Sequence, residues 1–252
     1  MSFLYWKKYF TDNSSHFEDI DWNVQRHLSQ KEIELITDSI QQFQKGEQSE
    51  GKHLFSFAKT FPDPYYLETM RLFILEEQTH ARVLGKFMDQ EGIPRIRGHW
   101  VDDIFRWLRK LTNLENTITV LVTAEIIAKI YYKALKDSTS SVLLKQLCDQ
   151  ILKDEDQHIS FQACTLNIFY QQKGKFRRGL SRFFHGLLMT GTILIVWIHH
   201  HKVFKAGGYN FIRFFLETSL VFLDFDRQVK KTEQMRVAFA WKLDDKTIPE
   251  TI

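Results

Sequence analysis

The chain has 252 residues, a formal net charge of +3 and 44% hydrophobic residues. That content fills one large domain or two small ones, and so mild a charge balance gives no blanket affinity for nucleic acid or anionic membranes. The two cysteines, Cys148 and Cys164, fit neither a zinc ribbon nor a disulfide framework and point to a reducing cytoplasm. The opening MSFLYWKKYFTD carries no apolar stretch followed by a cleavage site, so it is not read as a secretory signal.

From Ile96 to Ile248 there is no proline, which favours long helices over a turn-rich β-architecture. Residues 1–28 are aromatic and acidic without clear periodicity and read as a lead-in that wraps a helical bundle. Ser29 with Glu32 forms a capping-box pattern that opens a first helix, expected to run to about Phe61 before Pro62-Asp63-Pro64. Asp63 is placed to cap a second helix with Pro64 at its first position; Gly92 and Pro94 end it after about 27 residues, roughly 40 Å. The link from Ile93 to Asn113 is long enough to cross a bundle, and its VDDIFRWLRKL reads as a short helix. A third helix is expected over 113–136 and a fourth over 142–172, joined by a polar DSTSS turn.

Beyond Gly174 the pattern changes. The basic KGKFRRGLSRFF precedes a 13-residue apolar run, Gly186 to Ile198, then three histidines and an AGGYNF turn into an amphipathic helix reaching about Met235. Thirteen residues are too few to span a bilayer. A fifth helix packed on the bundle or at a dimer interface is the preferred reading, ahead of interfacial membrane binding. His199, His200 and His201 are consecutive, so they point around a helix and read as its solvated end. The domain division is therefore 1–28, 29–172 and 173–252.

Two Glu-x-x-His tetrads, Glu77 to His80 and Glu155 to His158, each follow a lone glutamate, Glu47 and Glu125, by the same 30 residues. Residues three apart share a helix face, so each tetrad aims a carboxylate and an imidazole at one point. All six sit inside apolar stripes: Phe43 and Leu54 flank Glu47, Phe73 and Leu84 flank the first tetrad, Leu121 and Tyr132 flank Glu125, and Ile151 and Phe169 flank the second. Ionised carboxylates in such stripes cost several kcal/mol each unless paired or metal-bound, and no Lys or Arg shares the stripes. Two helices giving one Glu each and two giving Glu-x-x-His make a six-ligand pocket for two metal ions.

A single Glu-x-x-His is more often a solvated face than a ligand pair, so the weight rests on the doubled set. Glu50 lies one turn beyond Glu47 and is an alternative ligand, which the 30-residue symmetry disfavours. Tyr132, seven residues past Glu125, is a candidate redox or hydrogen-bonding phenol, although a core tyrosine bonded to a backbone carbonyl is the commoner case. Gln162 and Cys148 read as core residues. Asp154 or Asp156 could orient a ligand histidine, with a solvated acidic face as the alternative.

Gly46-Glu47-Gln48-Ser49 resembles the start of the first rubrerythrin helix, and Glu77-Gln78-Thr79-His80-Ala81 with Leu84 resembles its second. Over residues 30–172 the chain is similar to the ferritin-like di-iron carboxylate superfamily, in particular to bacterial ferritin-like proteins of about this length. The resemblance implies an all-α, ferritin-like four-helix bundle with one long crossover, here with two further C-terminal helices. It also implies Glu47, Glu77, His80, Glu125, Glu155 and His158 as ligands of two iron ions, or of manganese and iron, with Glu77 and Glu155 bridging. Ala128 stands where rubrerythrins have an extra glutamate, and two helical cysteines cannot supply their four-cysteine rubredoxin module. The expected activity is oxygen-dependent oxidation of a small organic substrate with electrons from an external donor; iron oxidation, storage or peroxide scavenging is the alternative. The basic run from Lys173 to Arg182 also bears on tRNA, since some di-iron enzymes hydroxylate it, although a solvated basic turn is the plainer reading.

Overall fold

The computed structural model describes residues 2–23, 27–48, 51–98 and 113–244, with side chains described to residue 230. The described residues form helices and no strand: α1 (Phe3–Asp12), α2 (Gln30–Glu47), α3 (Lys52–Ala58), α4 (Tyr66–Gln90), α5 (Leu114–Ser138), α6 (Val142–Gln171), α7 (Lys175–Ala206) and α8 (Phe211–Asp244). The expected crossover and its VDDIFRWLRKL helix lie outside the described residues.

Three elements of the central stretch, α2, α5 and α6, start at side-chain caps. Ser29 and Glu32 form the expected reciprocal capping box on α2. Glu32 does more than cap its own helix: it also accepts from the Ser140 amide at 2.7 Å, which ties the start of α2 to the α5–α6 turn. These bonds, with the Ser140 amide foremost, hold its carboxyl down to about 2. Asn113 and Ser141 cap α5 and α6 through side-chain acceptors.

The first expected helix is interrupted. Gly51 has φ +62°, and a Cβ there would lie 2.6 Å from Ile74 Cδ1, so this glycine both breaks the helix and lets α4 approach. α4 starts at Tyr66, two residues later than expected, and its N-cap is Tyr65 without a side-chain cap bond; Asp63 instead accepts from the Tyr65 amide at 2.8 Å. The lead-in is also corrected: residues 3–12 form α1, whose aromatic residues fall at i, i+3 and i+7, and Phe3, Trp6 and Phe10 are buried. The C-terminal helix α7 spans 32 residues and takes in the basic run as well as the apolar one, since none of that sequence contains a helix breaker stronger than an isolated glycine.

α5 is the centre of the bundle, in contact with α3, α6, α7 and α8, while α4 packs on α1, α2 and α6. α7 lies on α5 and α2, fixed by buried polar contacts from His185 to Thr123 (3.1 Å) and from His200 to Ser39 (2.8 Å). His200 is thus buried within the helix rather than solvated at its end, because α7 continues to Ala206. Where α7 stops, Gly207 rests against α5: a Cβ there would run into the Ala134 carbonyl oxygen. By length and composition α7 alone, among the described residues, could cross a membrane, and only 28% of its apolar window is buried against the rest of the chain.

Candidate metal centre

All six residues singled out by the repeat converge between α2, α4, α5 and α6. Glu47, Glu77, His80 and Glu155 present ligand atoms within 4.8 Å of one another, and so do Glu77, Glu125, Glu155 and His158. The two quartets share Glu77 and Glu155. Glu155, His80 and His158 are fully buried, Glu47 and Glu125 nearly so, and the Glu77 side chain keeps 12% of its surface. The helical spacing that suggested the set also delivers it, since each Glu and His three apart lies on the inward face of α4 or α6.

Both imidazoles turn Nδ1 inward. His158 Nδ1 lies 2.8 Å from Glu77 Oε1 and 3.6 Å from Glu125 Oε2; His80 Nδ1 lies 3.9 Å from Glu77 Oε1 and 3.8 Å from Glu155 Oε1. None of these approaches has hydrogen-bond geometry. Glu77 Oε1, Glu125 Oε1, both Glu155 oxygens and both Nδ1 atoms are buried without a hydrogen-bond partner. Six converging donor atoms in that condition are costly in a core unless a cation takes their lone pairs. Among the described residues no Lys or Arg forms an ion pair with any of the six. The residues present therefore fit a metal cation that accepts both carboxylate oxygen and imidazole nitrogen.

The outward Nε2 atoms are held by a second pair of carboxylates. Glu76 Oε2 lies 2.7 Å from His158 Nε2, and Asp154 Oδ2 lies 3.0 Å from His80 Nε2. Each of these acids is the residue just before the tetrad glutamate of one helix, and each holds the histidine of the other. With Nε2 facing a carboxylate it carries the proton, which leaves Nδ1 free to ligate. The Asn13 amide joins the pair, donating to Glu76 at 2.7 Å and to Asp154 at 3.0 Å, while His16 Nε2 sits 2.8 Å from Asp154.

Charge crowding displaces the ionisation of these groups. Burial, with Glu125 beside it, pushes Glu155 well above the usual carboxylate range, and burial with Glu77 does the same to Glu47. Burial also works against ionised Glu77, but the facing His158 and His80 outweigh it and draw Glu77 down. His158 is raised in spite of burial, chiefly by Glu77. Asp154 is pulled low because bonds from His16 and His80 overcome its desolvation.

Tyr132 is fully buried and donates to Glu47 Oε1 at 2.6 Å, so the expected backbone-carbonyl partner is replaced by a cluster glutamate. Burial, then Glu47, lifts its phenol well above the ordinary range. Of the two acids flanking Glu155, Asp154 faces His80, whereas Asp156 pairs with Lys129 at the surface. Gln162 and Cys148 are buried, as core residues should be, and Gln162 has neither amide atom bonded. Glu50 lies outside the described residues. Glu76, Asn13 and His16 are absent from the set that the sequence pattern singles out. Glu76 is legible in principle, since an acid precedes both tetrads at the same 78-residue offset as the tetrads themselves; Asn13 and His16 carry no signal, because their position depends on how the N-terminal segment folds back.

No family model, curated protein or solved structure matches the chain.

α1 and the turn after it close the cluster from one side. Phe10 and Phe73 flank the His158 ring at 6.0 and 4.7 Å between centroids, and Phe17 stands 5.9 Å from His80. Such walls lower the local dielectric and strengthen every charge interaction inside.

Proposed function

We propose that the chain is a ferritin-like di-metal carboxylate protein, an oxygen-dependent oxidase or hydroxylase that takes electrons from an external donor. The observation that carries this is the pair of donor quartets sharing Glu77 and Glu155. Two neighbouring positions with two shared carboxylates suit two cations, and four carboxylates balance the charge of two divalent ions. Glu47 and His80 would complete one position, Glu125 and His158 the other. Bound there, redox-active ions such as iron, or manganese with iron, would supply electrons and open coordination positions for dioxygen.

The protein's own part is to orient and to exclude. Glu76 and Asp154 keep the proton on Nε2 of each histidine, so that both Nδ1 lone pairs point inward. Tyr132 holds its proton toward Glu47 and fixes that carboxylate. Phe10, Phe17 and Phe73 keep bulk water from the imidazoles. A cytoplasmic setting fits the two buried thiols, Cys148 and Cys164.

The test is metal content of the full chain beside Glu77→Ala and His158→Ala. About two transition-metal ions per wild-type chain and a loss in both variants are expected; unchanged stoichiometry refutes the assignment. Oxygen uptake by the reduced, iron-loaded protein, with about two irons retained, separates the oxidase from its alternative. Many irons per chain, or a large shell on size exclusion, would favour storage.

A further inference from the structure

Charge is unevenly spread along this chain. From Lys173 to Leu216 there are eight Lys and Arg, five up to Arg182 and three from Lys202, and no Asp or Glu, against a net +3 for the whole. α7 occupies most of that segment. One face is committed to the bundle, where Met189, Ile193, Val196 and Val203 are buried. The opposite face is apolar and uncovered: Phe176, Leu180, Phe183, Leu187, Leu194 and Ile198 are all exposed, Phe176 by 82%. At 100° per residue these six fall within an arc of about 60°. On α8, Ile212, Leu216, Leu220 and Leu223 repeat the pattern at helical spacing. A continuous apolar stripe of this kind marks a surface that something else covers.

We propose that this face docks on an anionic lipid bilayer, with α7 lying in the plane of the membrane interface. The stripe would enter the boundary between headgroups and acyl chains while Lys175 and Arg177 at one end of α7 and Lys202 and Lys205 at the other meet lipid phosphates; Lys173, Arg182 and Arg213 are already paired with Glu115, Asp226 and Glu217. A cleft of about 430 Å³ between α5 and the start of α7 fits that contact. Its wall combines Arg177, Ser181 and Asn116 with Leu180 and Phe184; Lys173 is also there but already pairs with Glu115 at 2.7 Å, so Arg177 is the cation offered to a phosphate headgroup beside the root of an acyl chain. The helix does not span, because its inner face is held to α5 and α2 through His185 and His200; spanning would carry those polar contacts and the bundle into hydrocarbon. A second copy is a poorer occupant, since two-fold pairing along α7 sets basic ends against basic ends. RNA would meet the cations yet leave Leu187, Leu194 and Ile198 in water.

Co-sedimentation of the full chain with vesicles of phosphatidylcholine, alone or mixed with phosphatidylglycerol, tests this. Binding is expected to the anionic vesicles and to weaken with salt. The double variants Leu187→Ser with Ile198→Ser and Lys175→Glu with Arg177→Glu should each lower the partition coefficient by about tenfold or more, with circular dichroism unchanged because all four side chains are exposed. No binding to anionic vesicles overturns the proposal. So does binding that neither variant alters while the apolar variant splits a dimer into monomers, which would make the face an interface between copies.

Discussion

Glu76 and His158 are partners across two helices: Oε2 of the glutamate on α4 sits 2.7 Å from Nε2 of the histidine on α6. Asp154 on α6 returns the arrangement to His80 on α4 at 3.0 Å. Each outer acid thus ties together the two helices that carry the tetrads, and each sets the proton of the imidazole it faces. Glu76→Gln and Asp154→Asn keep the shape while removing the charge. Each is expected to weaken metal binding by about tenfold to a hundredfold with helicity unchanged, measured by competition with a chromophoric chelator. Full affinity in both variants would mean that the inward nitrogens are not ligands.

Tyr132 offers a different discrimination. Tyr132→Phe removes the donor to Glu47 Oε1 and leaves a buried carboxylate oxygen unbonded, a cost of about 1–3 kcal/mol. In the metal-loaded protein a cation on Glu47 offsets much of that loss. The difference in melting temperature between wild type and variant should therefore shrink on loading with manganese or zinc. An equal difference in both states would remove Glu47 from the ligand set.

The acid limb of stability should carry a contribution from His185. Burial under Phe222 and Phe225 lowers it to about 4, the nearby Asp226 opposing only weakly. A histidine depressed when folded is charged more readily when unfolded, so the unfolded chain binds the extra proton between about pH 6.5 and 4. Stability is present in full above that window and falls as pH drops through it, by roughly 3 kcal/mol. His185→Gln is expected to flatten this part of the profile in urea titrations; an unaltered slope would show that other groups set it.

Gly207 gives a packing prediction. Its missing side chain lets the end of α7 rest on the Ala134 carbonyl, so Gly207→Ala forces the two helices apart. A loss of about 1–3 kcal/mol is expected, read by denaturant melts, whereas Gly186→Ala, with nothing within 4 Å, should be neutral or stabilising.

These residues also show what a sequence can and cannot convey. Glu47, Glu77, His80, Glu125, Glu155 and His158 are legible because a three-residue step puts Glu and His on one helix face, and the 30-residue interval recurs in the two halves of the bundle and so repeats the register between helices. Asn113, Ser141 and the Ser29 box mark helix starts for the same local reason. The break at Gly51 is not legible, since what requires a glycine there is the close approach of Ile74, a neighbour only in space. Tyr132 finds Glu47 instead of a carbonyl for a like reason: its partner is 85 residues away.

The bridge made by Asn13 sets an order of events. It joins Glu76 and Asp154, which lie 63 and 141 residues further along the chain, so the bridge is complete only once both α4 and α6 are in place. Long-range closures of this kind come late in folding. Before the N-terminal segment docks, the imidazoles of His80 and His158 lack Phe17 and Phe10 beside them. The nascent bundle is consequently more open to a cation than the finished one, and metal added during refolding should enter faster than metal added to folded, metal-free protein. Equal rates in a stopped-flow comparison would show that the N-terminal segment is no barrier. Faster entry during refolding would mean that such a site is filled as the protein matures and afterwards kept, with residues 3–17 closing over it.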